Sequence, residues 1–222
     1  MVQHQVIGKR LSRLSWTCFS IVVFLIFSIL PYPASFAASD KPKIPTLNYG
    51  QSRSNSSILA SREALEDFVK KQCIRYGIPY LLAMSIMGVD SGVQAWKVTV
   101  GKHEYFPQTK DEALFILKNS PGRDYNLGIM QVHSRWLQQW GIPPDQAVEP
   151  HINIQLALYI LNESFQAHGG ISGKGVVEYH QQQGGADQDY ARQILIRYRT
   201  LRQREETRSR VGHYDMFEKH KN

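Results

Sequence analysis

Apolar residues recur at helical spacing along most of the chain. Leu65, Phe68, Val69 and Cys73 fall on one helical face behind Ser61, a good N-cap, so a helix is predicted from about 61 to 76, stopped by Gly77. Pro79 suits the first turn of a second helix, "YLLAMSIMGVDSG", which is apolar almost all round and closes on Asp90, Ser91 and Gly92. A carboxylate thus stands at the mouth of a helix that otherwise reads as buried. From Trp96 the period shortens: "WKVTVGKHEYF" alternates and breaks at Gly101-Lys102, which predicts a two-residue hairpin. Thr109 with Glu112 forms a capping box opening "DEALFILKN". Further helices are predicted over 133–140, 151–168 with Gly169-Gly170 as its stop, 174–182, and from 187 into an Arg-rich tail. The expected fold is mainly α with one small hairpin, and no internal repeat is visible.

The N-terminus follows another rule. Lys9, Arg10 and Arg13 precede an uncharged stretch over 14–39 whose apolar centre "FSIVVFLIFSIL" runs into "PYPASFA". A basic start, an apolar run and small residues at Ser35 and Ala37 predict a secretory signal over 1–37, cut after Ala37. The rival is an uncleaved anchor; its strongly apolar part, 16–30, is 15 residues against the roughly 20 a spanning helix needs. Either reading sends the remainder to the periplasm, free or held at the inner membrane. No lipobox surrounds Cys18. The expected order is then a linker over 38–60, a folded domain over 61–198 and a basic extension over 199–222.

Charge narrows the partners. The net +7 sits at the ends: residues 1–37 carry +3, residues 197–222 hold eight Lys/Arg against four Asp/Glu, and residues 38–196 balance at 15 against 15. A nucleic-acid binder needs a basic, aromatic-laced face on the folded body, and none is visible. Membrane contact is expected only through the N-terminal segment, if it is uncleaved. Once Cys18 leaves with the signal, Cys73 has no partner in the chain, and its place on an apolar face predicts a buried small hydrophobe. The histidines show no paired ligand spacing, so neither a metal nor a cofactor is expected.

Five segments in a fixed order carry a resemblance. They are "YGIPYLLAMSIMGVDSG", "AWKVTVGKHEYFPQTKDEALFILK", "YNLGIMQVHSRW", "EPHINIQLALYIL" and "VEYHQQQGGADQDYARQIL". Over about 61–198 the chain resembles the lytic transglycosylases of the lysozyme-like superfamily, in particular the small exported type associated with conjugation and type IV secretion. The resemblance implies a goose-type lysozyme fold with the hairpin beside a glycan cleft. It implies cleavage of the β-1,4 bond between N-acetylmuramic acid and N-acetylglucosamine in peptidoglycan, with closure of a 1,6-anhydro ring. One acid suffices for that chemistry, in contrast to glycosidases that pair two carboxylates. The implied partners are glycan strands and an envelope-spanning machine, met as a monomer.

Residue by residue, the resemblance puts Asp90 at the catalytic position, where the family has Glu. Asp is shorter by one methylene, about 1.5 Å of reach, and a displacement of about 1 Å at a reacting centre can cost ~10²-fold in rate. The alternative is a noncatalytic peptidoglycan-binding or assembly protein that keeps the same cleft. Ser91 either orients the carboxyl or only ends the helix with Gly92. Gly128, Met130 and Gln131 match the substrate-floor motif. Tyr179 matches the late tyrosine, His180 stands where Asn is common, and Asn153 ties its helix to a loop. Glu104 and Glu178 are neighbouring acids outside the motif's acid position.

Overall fold

A computed structural model describes residues 61–186 and 189–219, with side chains through 209. The expected signal, linker and cleavage site lie outside the described residues.

The helices begin where local chemistry permits. In α1 (Arg62–Tyr76) Ser61 Oγ accepts from the Ala64 N–H at 3.1 Å, and Gly77, left-handed at φ 65°, closes the last turn. Leu65, Val69 and Cys73 are its buried residues. Pro79 precedes α2 (Tyr80–Asp90) as its N-cap rather than entering its first turn. The hairpin forms over Gly101 and Lys102, joining β1 (Val98–Val100) to β2 (His103–Tyr105). Thr109 Oγ1 caps α3 (Lys110–Lys118) through the Glu112 N–H, while Glu112 Oε2 reaches one residue further back, to the Gln108 N–H at 2.7 Å.

The sheet is larger than one hairpin. β3 (Tyr125–Leu127) and β4 (Val132–His133) extend it to four antiparallel strands in the order β2-β1-β3-β4. Strands of two or three residues are too short to display a period of two in the sequence. His133 consequently ends a strand and caps α4 (Ser134–Trp140) instead of opening it as a helical residue. The short α5 (Pro144–Ala147) was also not expected.

Thirteen of the 18 residues of α6 (Pro150–Ala167) are buried, which suits a helix apolar on most of its circumference. It runs through the core with α1 and α7 (Gly173–Gln182) packed on it. Helix α8 (Tyr190–Lys219) packs along α2 and continues without a break across the expected boundary at 198. Leu201 and Arg204 still line a groove with Leu65 and Met84, so the start of the basic extension is part of the packed body. Among the described residues no helix is long and apolar enough to cross a membrane.

Register decides which face of the sheet is wet. Val98, Val100, Leu127 and Val132 are buried on one side. Glu104, Thr99, Asn126 and His133 stand in one row across the four strands. Side chains alternate between faces, so an apolar face against the core requires this polar row on the other.

Candidate active site

Glu104, Thr99 and Asn126 of the polar row form one wall of a cavity of about 370 Å³ whose other lining includes Asp90, Tyr179, His180 and Tyr190. Asp90 is the last residue of α2. Burial raises its carboxyl from an ordinary 3.8 to about 7, against the opposing effects of Tyr190, Lys97 and Tyr179. A carboxylate at a helix C-terminus also faces the negative end of the helix dipole. The neutral acid is therefore well populated near neutral pH.

Several groups fix Asp90 in place. Tyr190 Oη donates to Oδ1 at 2.7 Å. Its ring stacks on His180 with centroids 3.9 Å apart and planes 8° from parallel. Gly185 permits this stack, because a Cβ there would lie 2.2 Å from His180 Nε2. Lys97, a buried lysine, donates from Nζ to the Asp90 carbonyl at 2.8 Å and to Glu104 Oε1 at 2.6 Å. Tyr179 is fully buried with its hydroxyl on the Met130 carbonyl at 3.3 Å. Burial, together with the charge of Asp90, holds the protons on both phenols well above their usual range.

The residues singled out in the sequence divide into two groups. Asp90, Gln131, Tyr179 and His180 meet at the cavity. Ser91, Gly128 and Met130 stand behind it. Ser91 Oγ donates to the Ile129 carbonyl at 2.7 Å and lies 3.1 Å from Met87 O, which ties the end of α2 to the β3–β4 turn. Its hydroxyl thus orients the helix end and leaves the carboxyl to Tyr190. Met130 is buried, and its backbone N–H donates to Asn153 Oδ1 at 2.8 Å. Gly128, at φ 83°, allows close approach to Asn153, whose Nδ2 would be 2.5 Å from an added Cβ. Asn153 Nδ2 also donates to Leu127 O and Ala147 O, so the asparagine does tie α6 to the turn.

Gln131 connects that turn to the cavity wall. Its backbone holds φ 47°, uncommon for a residue with a Cβ. Three bonds hold the side chain: Thr99 Oγ1 donates to Oε1 at 2.7 Å, and Nε2 donates to Lys97 O and Gly128 O. Asn126 Nδ2 donates to Gln131 O and to Gln183 O, joining the sheet to the end of α7. Of the other two acids, Glu104 lines the cavity, while Glu178 pairs with His168 at 2.6 Å elsewhere.

Sequence reasoning passed over Lys97, Thr99, Asn126, Gln183 and Tyr190. The first two were within reach, because the alternation in "WKVTV" sets Lys97 and Thr99 opposite Val98 and Val100. Tyr190 had no local signal, since its role depends on α8 crossing the end of α2. Cys73 is buried, its thiol pushed up to about 12 by burial. No group of three or more His, Cys, Asp or Glu among the described residues is placed to hold a metal ion.

Fold and site together define a class: a mainly α domain with a four-stranded antiparallel sheet, whose polar cleft presents one desolvated carboxyl. Compared with known protein families, curated proteins and solved structures, the chain gives no match.

Proposed function

We propose that the protein is a peptidoglycan lytic transglycosylase acting in the periplasm, where it opens the wall locally for an envelope-spanning machine of the secretion or conjugation kind. The observation that carries this reading is the carboxyl of Asp90, set at the end of α2 in the polar cleft and held by Tyr190 Oη at 2.7 Å, where burial pushes it up to about 7. A group that must first give and then take a proton works best with a pKa near the working pH. Asp90 protonates the glycosidic oxygen between N-acetylmuramic acid and N-acetylglucosamine, and the substrate's own acetamide supports the cationic C1. The resulting carboxylate then removes the C6 hydroxyl proton as the 1,6-anhydro ring closes. Tyr190 holds Oδ1 throughout. Because the chemistry needs one acid that changes state, a single tuned carboxyl accounts for it.

The test is release of anhydro-muropeptides from purified sacculi by the protein and by Asp90→Asn. The amide cannot deliver a proton, so the variant should release none while still binding sacculi. Equal release by both would remove Asp90 from the mechanism. Binding by both with release by neither would favour the noncatalytic assembly role.

A further inference from the structure

The cavity that holds Asp90 has a second carboxyl on its sheet side. Glu104 stands on β2, in register with Thr99, with 53% of its side chain exposed. Lys97 Nζ contacts both its Oε1 and the Asp90 carbonyl, so one buried ammonium fixes the two acidic residues relative to each other. The ion pair engages Oε1, and Glu104 lines the cavity.

The transglycosylase chemistry proposed above leaves Glu104 unused. Inverting hydrolysis of a glycoside uses an acid and a second carboxylate about 6.5–9.5 Å apart with a water between them and the sugar, and Asp90 and Glu104 line one hollow. The geometry points to a second reaction at this site, hydrolysis of the same glycosidic bond, with Glu104 as the general base. Glu104 takes a proton from a water in the cavity as the water oxygen bonds to C1 from the face opposite the leaving group. The C1–O4 bond breaks, and Asp90 gives its proton to the departing oxygen. The products are a reducing-end N-acetylmuramic acid, formed as the α anomer, and a free 4-hydroxyl. Proton exchange with solvent then resets both carboxyls. The inference rests on the proposed glycan substrate and differs only in what attacks C1, water or the sugar's own C6 hydroxyl.

The experiment digests sacculi in ¹⁸O-water and measures the ratio of ¹⁸O-labelled reducing ends to anhydro ends for the native protein and for Glu104→Gln. The amide keeps an acceptor for Lys97 but cannot act as the base, so the ratio should fall by about 100-fold or more. Glu104→Asp, which keeps the charge on a shorter arm, should lower it by an intermediate factor, and serves alone if the Gln variant does not fold. An unchanged ratio in a variant with native thermal unfolding overturns the role of Glu104. A native protein that releases only anhydro ends also overturns it and leaves the proposed function standing. Release of neither product overturns both.

Discussion

Asp90 should make this protein less stable as pH rises, and the size of the effect follows from its burial. In the unfolded chain the carboxyl titrates near its ordinary 3.8, and in the folded protein near 7. Below both values it is neutral in either state and has no pH-dependent effect. Between them the unfolded chain has released its proton and the folded protein has kept it, so each unit of pH favours unfolding by about 1.4 kcal/mol. Above 7 both states are ionised and the loss levels off. Over the three or so units the total is roughly 4 kcal/mol, a large part of the ~5–15 kcal/mol that holds a typical domain together. Asp90→Asn keeps Oδ1 as an acceptor for Tyr190 and removes the charge, so it should abolish this dependence. The assay is urea unfolding of both proteins at intervals from pH 4 to pH 8. His133 and His151, whose pKa values burial lowers, titrate alike in both and cancel in the difference. The Asn variant should gain stability over the native protein by several kcal/mol between pH 4 and pH 7. Parallel curves would refute the claim that the folded protein desolvates this carboxyl.

Three further outcomes are expected. Tyr190→Phe removes a hydrogen bond that favours the charged carboxylate, worth about 1.5–3 kcal/mol, so the alkaline limb of the rate against pH should move up by roughly one to two units; an unmoved limb would show that the phenol does not contact the working acid. Asn153→Ala strands the Met130 N–H and the Leu127 and Ala147 carbonyls. It should destabilise the domain by about 3 kcal/mol or more in urea, and a loss below about 1 kcal/mol would contradict the bonding described. Truncation after Arg208 should leave sacculus binding in moderate salt intact, as checked by pull-down, because the cleft residues all lie before it; loss of binding by a folded truncation would make the basic extension the recognition element.

Apart from the short α5, the helical elements were legible in the sequence, because caps, stops and apolar spacing are local properties. Ser61 with Gly77, and Thr109 with Glu112, mark helix boundaries through bonds made within a few residues, and the structure contains them. Asn153 as a tie was legible through the resemblance, and the burial of Cys73 through its place on a helical face. The placing of Asp90 at a helix end was legible too, as was the apolar setting that desolvates it, but how its carboxyl is held was not. That depends on Tyr190, one hundred residues away, and on Lys97, whose partners come from two elements. The four-stranded sheet was equally invisible, since β3 and β4 are too short to carry a pattern and exist because Asn126 and Leu127 find partners in register. The basic tail read as a separate extension because it is rich in charge and shows no long apolar face, yet α8 carries Leu201 into a groove against Leu65 and Met84. Local bonding fixes where a helix starts and stops. How a desolvated carboxyl is held, and which tyrosine meets it, is settled only when distant segments compete for the same space.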